Sequence, residues 1–137
     1  MRVIIAIVCI ISVLAFHEAA RGQEAMNMKV NDALVVVEWE DNESVKALRE
    51  KLPITVKMSM YGGFEQVGEL GRKLPRNDKR ITTSAGDIVL YSGNQIVIFY
   101  GSNTWAYTKL GRITDKTASE LADMLGKSEV TLTLSAE

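Results

Sequence analysis

Ala85-Gly86-Asp87-Ile88-Val89-Leu90-Tyr91-Ser92-Gly93-Asn94-Gln95-Ile96-Val97-Ile98-Phe99-Tyr100-Gly101 holds the clearest hairpin in the chain. Asp87 to Tyr91 and Gln95 to Tyr100 are its arms, and Ser92-Gly93-Asn94 is its turn. Ile88-Val89-Leu90 and Ile96-Val97-Ile98-Phe99 are unbroken apolar runs. A strand with one wet face alternates, so unbroken runs predict strands covered on both faces.

Working outward, the same signals recur. Met26 to Val30 and Ala33 to Trp39 read as strands joined by the turn Asn31-Asp32. Asp41 or Asn42 caps a predicted helix from Glu43 to Lys51, with Val45, Leu48 and Leu52 at helical spacing and Pro53 stopping it. Ile54, Val56, Met58 and Met60 alternate with Thr55, Lys57 and Ser59, which predicts a strand with one buried face. Tyr61 to Gly71 is glycine-rich and reads as irregular. Leu74 to Asp78 reads as a turn.

After the hairpin, Gly101 to Thr108 is an aromatic segment, and Asp115 to Leu125 a second helix. Thr117 and Glu120 have capping-box spacing, and Gly126 suits the C′ position. Val130, Leu132 and Leu134 alternate with Thr131 and Thr133 in a last strand. Short strands, two short helices and glycine turns predict a mostly β protein whose strands form a closed β-barrel rather than an open sheet.

The first 22 residues are read apart from that domain. Arg2 is a positive start, Val3 to Phe16 an apolar run, and Ala20-Arg21-Gly22 a small-residue cleavage site. The run is shorter than the ~20 residues of a membrane span. Residues 1–22 are therefore expected to be a signal peptide, with an uncleaved anchor as the alternative. Residues 23–137 are expected to form one domain that is exported, periplasmic or secreted, with no stable membrane anchor after cleavage.

Cleavage removes the single Cys, Cys9, and the single His, His17. It also removes Arg2, Arg21 and Glu18, so 16 basic and 17 acidic residues become 14 and 16, a net charge of −2. That balance gives no reason to expect a nucleic-acid partner. Without Cys or His there is no Ser-His-Asp triad, no Cys-His nucleophile and no Cys/His zinc site. No phosphate-binding glycine loop or EF-hand spacing occurs. No cofactor or metal is expected.

Several segments together carry a resemblance. They are Met60-Tyr61-Gly62-Gly63-Phe64-Glu65, Ala85 to Tyr91, Ile98-Phe99-Tyr100-Gly101 and Leu110-Gly111-Arg112-Ile113, in that order, with Asp41-Asn42 before a helix ending at Leu52-Pro53. This set resembles the bacterial cyclophilin-like proteins, a family distinct from the classical cyclophilins. The resemblance implies a closed cyclophilin-like β-barrel with two short capping helices and does not imply prolyl isomerase activity. Classical cyclophilins carry a Phe-His-Arg strand that is absent here, and Phe64-Glu65-Gln66 is a loose echo of their Phe-Met-Gln stretch.

Two uses of such a barrel follow. The first is a non-catalytic module that binds an extended peptide or small molecule. Its candidate site is Tyr61, Gly62, Gly63, Phe64, Glu65, Gln66, Tyr100 and Trp105, with the glycines letting a ligand approach the backbone. The alternative is an extracytoplasmic peptidyl-prolyl isomerase, which needs an apolar pocket and a donor near the prolyl nitrogen. Phe64, Phe99, Tyr100 and Trp105 are candidates for the pocket, and Gln66, Arg72 or Arg112 for the donor. Against both stands the plainer reading, in which the aromatics fill the barrel and the arginines are solvated. Glu65 and Asp87 also admit a carboxylate pair for glycoside hydrolysis. Their plainer roles are a turn fixed by Asp87 and backbone hydrogen bonds accepted by Glu65 from the glycine loop.

Overall fold

The computed structural model describes residues 25–136; the expected signal peptide and its cleavage site lie outside the described residues. In chain order the elements are β1 (Asn27–Val30), β2 (Ala33–Val35), β3 (Val37–Trp39), α1 (Glu43–Arg49), β4 (Ile54–Tyr61), β5 (Glu65–Glu69), β6 (Lys79–Thr82), β7 (Asp87–Tyr91), β8 (Gln95–Phe99), β9 (Thr104–Ile113), α2 (Ala118–Leu125) and β10 (Glu129–Ser135). The strands run β2-β1-β10-β4-β5-β8-β7-β9-β3 across one antiparallel sheet. Its two end strands, β2 and β3, are consecutive in the chain. The sheet therefore curls into a nearly closed barrel, as expected from the sequence.

The expected single strand from Ala33 to Trp39 is broken at Val36, and this break makes the closure. Before it, Val35 pairs with Met28 on β1. After it, Val37 pairs with Ile113 on β9. Val36 itself donates its N–H to Asp115 Oδ1 at 3.0 Å, and its carbonyl accepts from the Thr114 N–H at 2.9 Å. Leaving one sheet end for the other frees the backbone groups of Val36, and the Thr114-Asp115 turn satisfies them.

The hairpin β7–β8 is buried on both faces. Ile88, Leu90, Ile96 and Ile98 join the main core with Met28, Met58, Leu110 and Leu132. Val89, Val97 and Phe99 point to the other face and form a second cluster with Tyr107. Ser92 (φ 54°) and Gly93 (φ 76°) take the left-handed turn conformation.

Three strands went unread in the sequence. The core-facing positions of β5 are Gln66 and Gly68, so its pattern is not that of an amphipathic strand. A Cβ on Gly68 would fall 2.4 Å from Val56 Cγ1, so β4 and β5 meet this closely only because no side chain intervenes. Strand β6 pairs with the first half of β9, Lys79 with Tyr107 through Thr82 with Thr104, as a separate ribbon. The second half of β9 returns to the barrel after a bulge opposite Ile88 and Val89.

The helices are shorter than expected but capped as read. Asn42 Oδ1 accepts from the Val45 N–H at 2.9 Å. Thr117 and Glu120 form the reciprocal capping box. Gly126, expected at the C′ position, is the C-cap itself, with φ −77°. It is needed because a Cβ would lie 2.4 Å from the Ala122 carbonyl oxygen. Among the described residues no helix is long and apolar enough to cross a membrane.

Closure predicts a sensitive position. A Cβ on Gly111 would sit 2.7 Å from the Glu38 carbonyl oxygen and 3.1 Å from both the Trp39 ring and Val37. Gly111→Ala is expected to destabilise the fold by about 1–3 kcal/mol, the usual scale for overpacking. Urea denaturation checks it, and an unchanged midpoint would contradict the tight β3–β9 seam.

Candidate functional site

The second face of β4, β5 and β8 and the β6–β9 ribbon bound a cleft of about 510 Å³. Tyr61 stands at its rim at the end of β4, 66% exposed, and Trp105 rises from the ribbon, 52% exposed. Tyr91 and Tyr107 line it from within, their rings edge-to-face with centroids 6.1 Å apart. Phe99 supports Tyr107 from below in a second edge-to-face pair at 5.6 Å. Asn103 locks the approaching loop: it exchanges hydrogen bonds with Thr83 and donates Nδ2–H to the Tyr107 hydroxyl at 2.8 Å.

Glu65 lies in this cleft and is only 5% exposed. The expectation that it accepts hydrogen bonds from the glycine loop is not met. Its backbone sits in the ladder between Tyr61 and Phe99, which turns the side chain off the loop and into the cleft. No hydrogen bond or ion pair to its carboxylate forms among the described residues. Burial without compensation pushes its pKa from 4.5 up to about 7. Burial also raises the Tyr107 phenol; the Asn103 hydrogen bond opposes that shift and the Glu65 charge reinforces it.

The eight candidate residues part into three groups. Tyr61, Glu65 and Trp105 come together in the cleft. Gly62 (φ 65°) and Gly63 (φ 73°) make the β4–β5 turn, and a Cβ on Gly62 would strike the Phe64 ring at 2.2 Å. The Phe64 ring packs edge-on against Tyr61, centroids 6.3 Å apart, so it supports the rim rather than lining the cleft. Gln66 and Tyr100 belong to the opposite side. Gln66 is fully buried and donates its amide to the Leu125 and Lys127 carbonyls at 2.8 and 2.6 Å, tying down the end of α2. Tyr100 packs against the main core.

The candidate donors Arg72 and Arg112 do not line the cleft. Arg112 reaches Asp87 at 3.5 Å. Asp87 Oδ2 accepts from the Ser84 N–H at 2.8 Å, so it fixes the turn before β7, as its plainer reading held. Tyr91, Asn103 and Tyr107 were missed as cleft residues. Tyr91 and Gln95 are partners across the hairpin, and that pairing was the one signal available for either. A second groove, of about 670 Å³, is lined by Glu40, Asp41 and Glu43 as well as Lys46, Arg76, Lys79 and Lys109, so its charges largely balance.

With the geometry in place, comparison fixes the family. The model of the cyclophilin-like family matches residues 28–135. The chain belongs to that family. No curated protein matches this sequence. The cyclophilin-like barrel is also seen in the solution structure of the hypothetical protein AF2241 from Archaeoglobus fulgidus. It is 19% identical, with a TM-score of 0.61 over 83% of this chain and 95% of that one. At that identity the likeness speaks for the fold alone.

The buried carboxyl gives a signed prediction. The unfolded chain loses this proton near pH 4.5 and the folded chain near 7. Stability therefore falls as pH rises from about 4.5 to 7 and is level above that. Glu65→Gln is expected to gain about 2–4 kcal/mol over the parent at pH 8 and almost nothing at pH 4, at 1.36 kcal/mol per pKa unit. Denaturation at both pH values checks it; the same difference at both would contradict an ionisable buried Glu65.

Proposed function

We propose that this cyclophilin-like domain is exported and works as a non-catalytic binding module, taking an extended peptide or a small molecule into the cleft of Tyr61, Glu65 and Trp105. The observation that carries the reading is the pairing of wall and floor. Two large aromatic side chains stand exposed at the rim, where folding gains little from them, above a buried carboxyl with no protein partner. Mostly apolar walls with a few convergent polar groups are the usual form of a binding site. Export rests on Arg2, the apolar run to Phe16 and Ala20-Arg21-Gly22.

Binding is favoured over prolyl isomerisation because no Arg or Lys lines the cleft among the described residues. Asn103 and Gln95 are its amide donors, and both amides are engaged: Asn103 with Tyr107 and Gln95 with Glu69 at 2.8 Å.

Backbone-amide NMR on the purified chain, titrated with extended peptides and small amphipathic molecules, tests the reading. Shifts are expected to concentrate at Tyr61, Glu65, Asn103 and Trp105, and Trp105→Ala is expected to weaken binding about tenfold or more, as aromatic anchors do. Shifts confined to the β1–β10 side, or none across the panel, would overturn it. Exchange spectra of Xaa-Pro peptides in the same samples separate the isomerase: uncatalysed exchange takes tens of seconds, so acceleration would replace the binding reading by catalysis.

A further inference from the structure

Every charged side chain in a binding cleft needs a counterpart in the protein, in water or in the ligand. In this cleft the protein supplies none. Glu65 is the one charged residue among those that line it. The other titratable groups facing it are phenols: Tyr61 on β4, Tyr91 on β7 and Tyr107 on β9. From β8 it meets Gln95 and Val97, and from its own strand Val67. The cations nearest by register stay outside the lining. Lys57 is on β4 two positions before Ser59, and Lys79 is opposite Tyr107 on β6; both are exposed. Glu69, on the same face of β5, is held by Gln95 Nε2.

Ring faces and one carboxylate attract the same kind of partner. An aromatic face carries negative potential and favours a cation, and so does an unpaired carboxylate in a partly desolvated site. A neutral or anionic ligand would leave that carboxylate buried and unmatched, or would require it protonated. We propose that the cleft recognises a protonated alkylamine, its ammonium paired with the Glu65 carboxylate and its stem lying against Tyr61 and Trp105. This deepens the binding-module reading and rests on it. A free aliphatic diamine and a lysine side chain of an extended peptide share this chemistry, and the strand-lined cleft is open enough to admit either.

The sign of the pH dependence is fixed by the site. An alkylammonium stays protonated near neutral pH, so the ionisation of Glu65 sets the pH dependence of the pair. Its pKa near 7 means that the binding form rises from about a tenth of molecules at pH 6 to about nine-tenths at pH 8. A ligand held by the protonated acid, such as a carboxylate, would show the reverse.

The experiment titrates the full chain with 1,5-diaminopentane, with a blocked pentapeptide containing one Lys, and with the same pentapeptide containing norleucine in its place, at pH 6 and pH 8. Amide shifts at Glu65 and Trp105 report the site. The expected result is about tenfold tighter binding of an amine at pH 8 than at pH 6, and norleucine binding that is no tighter at pH 8 than at pH 6. Glu65→Gln should abolish the pH gain, and an unchanged amide spectrum away from the cleft shows that the variant is folded. If only the diamine binds, the source is a free amine; if only the Lys peptide binds, it is a protein side chain. Norleucine binding as tightly as Lys at pH 8, or amine binding that weakens with rising pH, would overturn the amine while leaving the module standing. No binding of any probe at the cleft would count against both.

Discussion

The fold depends on a hairpin that has no wet face. Strands β7 and β8 send Ile88, Leu90, Ile96 and Ile98 into the barrel and Val89, Val97 and Phe99 to the other side. A barrel needs only the first set. The second would be left in water unless something covered it, and burial of each such side chain is worth about 1.5–3 kcal/mol. The cover is the β6–β9 ribbon with Tyr107, together with Phe64 and Val67. The cleft lies where that cover meets the sheet, so the site follows from the two-sided burial.

The same constraint explains β9. It is ten residues long because it serves two partners: its first half holds β6 and its second half joins β7 and β3. The bulge opposite Ile88 and Val89 lets one strand do both. At the other seam the chain crosses from β2 to β3 at Val36, and Gly111 gives β3 room to approach. Glu65 enters the cleft because its neighbour Gln66 is fixed inward by the end of α2. Successive strand residues point to opposite faces, so holding one directs the other.

Much of the barrel was legible because the sequence states it locally. The hairpin runs, the Asn31-Asp32 turn, the alternation of β10 and the Thr117–Glu120 box each rest on neighbours a few residues apart. What was illegible is non-local. Strand β5 hides behind Gln66 and Gly68, whose inward places make sense only beside Val56 and the end of α2. The site was half legible. Tyr61, Glu65 and Trp105 came from a glycine-rich motif and an aromatic segment. Tyr91 and Tyr107 join them only through the register of β7, β8 and β9, and the same register sends Gln66 and Tyr100 to the core. A shared fold does not settle this, because function is carried by the site built on a fold and not by the fold itself.

The account turns on one side chain, an ionisable Glu65 that waits in the cleft without a partner. Carbon-detected NMR of the Glu65 carboxyl across pH 4 to 9 tests it directly, with the chain free and then saturated with a bound amine. The account predicts titration near pH 7 in the free chain and a fall toward the ordinary carboxylate range when the ammonium is bound. Titration near 4.5 in the free chain, or a midpoint that ligand leaves unmoved, would contradict it.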